Sequence, residues 1–139
     1  MSEASLQSLS PARVVDEFLR IIMIPDPAGA RRFVAPGLRI RFTGGRAMSD
    51  PAECSAFNAT RYRWVKKRIE CTETVAGGSA AATVVYSIGT LYGEWPDGTP
   101  FEGNRYVDRY VVSHGLITLM EVWNDSAEWL LVRAGLETL

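Results

Sequence analysis

GTLYGEWPDGTPFEGNRYVDRYVVSHGLITLMEVWNDSAEWLL, residues 89–131, sets three strand-like runs apart by turn signals. Asp97-Gly98 is a hairpin turn signal, and Ser113-His114-Gly115 is a second tight turn. The strands they separate span 79–95, 101–112 and 116–123, and a further strand-like run, KRIECTETV, precedes them at 67–75. Asp125-Ser126-Ala127-Glu128 has the spacing of a capping box and starts a C-terminal helix with Trp129, Leu130 and Leu131.

Toward the N-terminus the periodicity changes. Ser10-Pro11 opens a helix, and Val14, Val15, Phe18, Leu19 and Ile22 give it one broad apolar face. Pro25 stops it. Asp26-Pro27 restarts a short helix, which Ala35-Pro36-Gly37 breaks. LRIRF (38–42) alternates as a strand, Gly44-Gly45 begins a loop, and Asp50-Pro51-Ala52-Glu53 caps a third helix running to about Trp64. No repeat or linker interrupts this order, so residues 1–139 read as one domain, with 1–9 expected as a disordered tail. Helices followed by a meander of strands imply an α+β fold. The expected shape is a cone, in which a strongly curved antiparallel sheet wraps around the N-terminal helices and can hold a ligand at its wide end.

Composition narrows the function. The chain of 139 residues is 47% apolar and 22% charged, with a net charge of −1. No broad positive field exists to attract nucleic acid or acidic lipid. No apolar run is long enough for a membrane helix, and MSEASLQSLSP lacks the pattern of a signal peptide. Cys54 and Cys71 have no metal-binding spacing and read as reduced thiols of a cytoplasmic protein. His114, the single histidine, sits in a turn facing water. No nucleotide fingerprint appears, so no cofactor is expected.

NRYVDRYV (104–111) carries polar residues on both faces of a strand. One face holds Asn104, Tyr106, Asp108 and Tyr110, and the other Arg105, Val107, Arg109 and Val111. The first would line a pocket and the second would meet a partner subunit. On the last strand Met120, Val122 and Asn124 face the pocket, while Leu119, Glu121 and Trp123 face out. RYRWVKKR (61–68) reads as a solvated basic face at a helix end.

Over nearly the whole chain, and most specifically in residues 89–131, this order resembles the nuclear transport factor 2-like (cystatin-like) superfamily, in particular its SnoaL-like branch. The resemblance implies the cone and a homodimer formed through the outer sheet face, with Arg105, Arg109, Glu121 and Trp123. Family members include ketosteroid isomerases, polyketide cyclases, dehydratases, epoxide hydrolases and non-catalytic binding modules, so each mechanism must be carried over residue by residue. Asp108 matches the inward Asp of the ketosteroid isomerases, enzymes whose carboxyl groups are tuned by their surroundings to separate roles. The remaining isomerase groups fall on Phe18 and Phe42. The Asp–Arg–Asp set of limonene epoxide hydrolases meets Tyr106 and Val122 where Arg and the second Asp belong. The cyclase Asp on the last strand has no counterpart among Met120, Val122 and Asn124.

Asp108 is left as the single acid/base candidate, with a buried structural Asp as the competing reading. Asn104, Tyr106, Tyr110 and Asn124 would orient a substrate or hold an oxyanion, although Asn124 also suits helix pre-capping. Phe18, Phe42 and Trp64 would supply apolar wall. The partner expected is a small apolar or aromatic molecule, and the reaction a cofactor-free isomerisation, cyclisation, dehydration or lyase step. The alternatives are a non-catalytic ligand-binding or assembly module and an epoxide hydrolase variant. A cavity of hundreds of Å3 favours an enzyme, and a filled cone a scaffold.

Overall fold

Ser10 starts the first helix, α1 (Pro11–Ile22): its hydroxyl accepts from the Arg13 N–H at 3.3 Å, and Pro11 occupies the first turn. The structure is a computed structural model describing residues 9–79 and 81–139, so the tail expected over 1–9 falls almost wholly outside it. Asp26 caps the short α2 (Pro27–Ala30), and a 3-10 turn leads into β1 (Val34–Phe42) and β2 (Arg46–Met48). After α3 (Pro51–Arg61) come β3 (Trp64–Ser79), β4 (Ala82–Glu94), β5 (Pro100–Ser113) and β6 (Leu116–Asn124), closed by α4 (Ser126–Arg133). Among the described residues no helix is long and apolar enough to cross a membrane.

The six strands form one sheet in the order β2-β1-β6-β5-β4-β3. It is a strongly curled, unclosed sheet. The fold class is α+β as expected, but the sheet is mixed, because β1 pairs parallel to β6. Alternation alone carries no strand direction, and the long excursion through α3 and β3–β5 supplies the crossover that a parallel pair needs. β2, three residues long, stands where a loop was expected. β3 also begins earlier than expected: the Arg63 N–H bonds the Glu94 carbonyl at 2.8 Å, drawing Trp64–Lys66 into the ladder rather than into α3.

Two caps differ in detail from their sequence signals. Asp50 accepts from the Ala52 N–H at 2.8 Å, but Glu53 reaches Ser49 rather than Asp50. The Asp125 box does not form. Its carboxylate pairs with Arg105 at 2.7 Å, and Asn124 Oδ1 accepts from the Ser126 N–H at 3.0 Å instead. At the β5–β6 turn His114 and Gly115 both have positive φ, 52° and 79°, which matches the twist of a two-residue hairpin.

The apolar face of α1 lies in the hollow of the sheet. Val14, Val15 and Phe18 are fully buried there, among Val85, Tyr110, Val112 and Ile117. Phe18 meets Tyr110 edge-on, with ring centroids 6.1 Å apart. A bulge at Thr118 sets the inward face of β6: Val112 pairs with Ile117 and Val111 with Leu119, so both Ile117 and Met120 point into the core. On β4, Gly89 and Gly93 let β3 pass close. A Cβ at Gly89 would stand 2.1 Å from the Arg68 carbonyl oxygen, and one at Gly93 2.2 Å from that of Trp64. Because backbone must move to admit it, Gly93→Ala is expected to lower unfolding free energy by about 1–3 kcal/mol in urea titrations.

Candidate functional site

β5 turns Asn104, Tyr106, Asp108 and Tyr110 inward, none of them more than 1% exposed. Asp108 lies mid-strand between its ladder partners Ser87 on β4 and Val122 on β6. Lys67 reaches it from β3 and forms an ion pair through Nζ and Oδ2. The Tyr110 hydroxyl donates to the same oxygen at 3.0 Å. Asp108 Oδ1 is buried with no hydrogen-bond partner among the described residues. The Lys67 ammonium also sits 4.2 Å above the Tyr106 ring, whose hydroxyl is held 2.9 Å from that of Ser87.

These groups stand at a cavity of about 30 Å3. Asp108, Lys67, Tyr106 and Asn124 supply its polar wall, Phe42, Met120 and Val122 its apolar floor, and Leu19, Met23 and Cys54 its helical side. A groove of about 130 Å3 lies alongside, between the end of α1 and α3, and shares Ile22, Met23, Asn58, Tyr62 and Val65 with the cavity. Met23 and Tyr62 therefore stand between the cavity and the groove.

The residues named from sequence divide accordingly. Tyr106, Asp108, Phe42, Met120, Val122 and Asn124 surround the cavity. Tyr110 and Phe18 are packed behind it, within the core cluster. Asn104 lies off the cavity wall, its amide donating to Ser126 Oγ at 3.1 Å; Tyr62 donates to the same hydroxyl at 2.6 Å. Trp64, 41% exposed, lines the groove rather than the cavity and packs its edge against Tyr92. Asn124 spends its carbonyl on capping α4, as its alternative reading anticipated.

Lys67 was hidden in the basic run read as a solvated face. The charges of that run diverge. Arg61 stacks on Phe57, Lys66 donates to the Met23 and Ile24 carbonyls, Arg68 stacks on Tyr92, and Lys67 alone turns to Asp108.

Burial lifts the Asp108 carboxyl above the ordinary carboxylate range, and Lys67 and then the Tyr110 hydroxyl pull it back. Burial also pushes the Tyr106 hydroxyl and the Cys54 thiol up to about 12, so both stay protonated near neutrality. With its pKa raised, folded Asp108 holds its proton more tightly than the unfolded chain does. Its contribution to stability therefore declines as pH rises from the unfolded carboxyl value toward the folded one. Lys67→Met removes the opposing cation and leaves a buried charge. The expected cost is about 3–5 kcal/mol at pH 8 and less at pH 5, where Asp108 can take up a proton, as read from urea melts at the two pH values. Equal losses at both would show that no charge is left behind.

No protein-family model and no curated protein sequence matches this chain. Solved structures do match. An NTF2-like protein from Burkholderia thailandensis superposes with a TM-score of 0.70 at 18% identity, covering 94% of this chain and 99% of that one. TerC co-crystallised with polyporic acid gives 0.65 at 18% identity, covering 87% and 96%. A candidate SnoaL-like polyketide cyclase from a Jannaschia species gives 0.59 at 17% identity, covering 89% and 94%. By its architecture this chain has the NTF2-like fold, the fold of SnoaL-like polyketide cyclases and their ketosteroid isomerase-like relatives.

Proposed function

We propose that this chain is a cofactor-independent enzyme that moves a proton on a small, mostly apolar, oxygenated molecule. The reaction would be an isomerisation, cyclisation, dehydration or lyase step. The observation that carries this reading is the asymmetry of Asp108. Oδ2 is held by Lys67 and Tyr110, while Oδ1, on a residue that lines the cavity, is buried without a partner among the described residues. A carboxyl fixed through one oxygen leaves the other free to take a proton from carbon and return it elsewhere. Lys67, whose nitrogen lies over the Tyr106 ring, would draw electrons from a substrate carbonyl as the proton leaves the neighbouring carbon. The co-crystal of TerC with polyporic acid supports an organic oxygenated ligand for this fold. The partner of Asp108 is Lys67, and no arginine lines the cavity among the described residues, which weighs against water activation by an Asp–Arg–Asp set.

One observation favours the non-catalytic reading. At about 30 Å3 the cavity is closer to a filled cone than to an open pocket, so an aromatic ligand requires Met23 and Tyr62 to move aside toward the groove. A thermal-shift screen of aromatic and polyketide-like carbonyl compounds separates the two readings by finding a ligand whose turnover can be followed. Asp108→Asn is then expected to lower turnover by about 10²-fold or more with ligand binding retained. Unchanged turnover would remove the mechanism.

We also propose that the outer sheet face forms an isologous homodimer. Val107 and Trp123 are 37% and 53% exposed on adjacent strands, beside the Arg109–Glu121 pair at 2.9 Å. An exposed Trp with branched and Arg neighbours is the composition of a subunit contact. Sedimentation at micromolar concentration should give a dimer for the parent chain and a monomer for Trp123→Arg. A monodisperse parent monomer would exclude this contact.

A further inference from the structure

The chain contains two lysines, Lys66 and Lys67, among its 15 Lys and Arg residues. Every other cation in that set is an arginine, which does not give up its proton in a protein. Among the described residues, the one position where a cation faces Asp108 inside the cavity therefore carries the residue type whose nitrogen can become a neutral amine. Its neighbour Lys66 is held outside by the carbonyls of Met23 and Ile24.

We propose that Lys67 is an amine nucleophile that forms an iminium with an aldehyde or ketone carried on an apolar or aromatic frame. This rests on the proton-transfer reading above and names its substrate class. Three placements support it. Lys67 Nζ stands at the cavity wall with a side chain only 9% exposed, so a bound carbonyl would meet it with little competing water. The hydrogen bond to Asp108 Oδ2 gives the ammonium proton somewhere to go. The Tyr106 face, 4.2 Å away, is suited to a cationic nitrogen before and after the reaction.

The steps balance within this pair. Lys67 passes a proton to Asp108, and its lone pair attacks the carbonyl carbon to form the new C–N bond. The C–O π pair moves onto oxygen, which takes up the second nitrogen-bound proton and becomes the carbinolamine hydroxyl. Asp108 then protonates that hydroxyl, which leaves as water while the nitrogen lone pair closes the C=N bond. Lysine ammonium plus carbonyl thus becomes iminium plus one water, with Asp108 returned to carboxylate. The iminium acidifies the neighbouring C–H, and Asp108 Oδ1, unpartnered among the described residues, can accept that proton. Burial that raises the Asp108 carboxyl favours its holding the proton while the amine is neutral.

The test is reductive trapping. The full-length protein is incubated with cinnamaldehyde and sodium cyanoborohydride, and the secondary amine is located by peptide mass spectrometry. The expected result is an adduct at Lys67 forming faster than any at Lys66 or the N-terminus. Lys67→Arg keeps a cation beside Asp108, so it should keep the fold and reduce trapping to the background of those two amines. Asp108→Asn should slow trapping at Lys67 by about 10²-fold, because the acid for dehydration is lost. Adducts confined to Lys66 and the N-terminus would overturn the proposal. If such a protein were still stabilised by aromatic carbonyls with turnover dependent on Asp108, proton transfer would stand and only the nucleophile would fall.

Discussion

The ion pair between Lys67 and Asp108 is the constraint around which the interior of the cone is arranged. A carboxylate and an ammonium both removed from water cost more than most single packing contacts return, unless each is closely met. Here the sheet meets them from four strands: β3 brings the cation, β5 the anion and two tyrosines, β4 the Ser87 hydroxyl, and β6 the apolar side of Val122 and Met120. The second carboxyl oxygen of Asp108 is buried without a protein donor among the described residues.

Tyr62 links this interior to the rest of the molecule. Its ring stacks on Trp95 and Phe101 at centroid distances of 5.7 and 5.4 Å, and its hydroxyl donates to Ser126 at the start of α4. The same ring borders both the cavity and the groove beside it. Asn104 donates to that same Ser126, so one hydroxyl at the start of α4 ties Tyr62 to β5.

Much of this was legible in the sequence. The alternation of Asn104, Tyr106, Asp108 and Tyr110 marked the inward face of β5, because a strand has a strict two-residue period and one side of this sheet is buried. Met120, Val122 and Asn124 followed from the same rule. What stayed hidden depends on contacts distant along the chain. The parallel joining of β1 to β6 leaves no local mark. Asn104 and Tyr106 look alike in the strand pattern, yet Asn104 is drawn off the cavity by Ser126, 22 residues later. Lys67 was concealed because RYRWVKKR suits a helix end as well as a strand start. Only the ladder with β4, beginning at Trp64, settles which way each cation points.

The extra residue at Thr118 has a consequence beyond local geometry. It shifts the phase of β6, so that odd-numbered side chains look inward before it and even-numbered ones after it. Losing Thr118 would leave the pairs Val112–Ile117 and Val111–Leu119 in place and restore strict alternation, with Ile117, Met120 and Val122 still turned inward. The kink is thus a place where a lineage carrying this fold can gain or lose one amino acid without inverting β6, whereas the same loss in a regular stretch of strand would reverse every side chain beyond it.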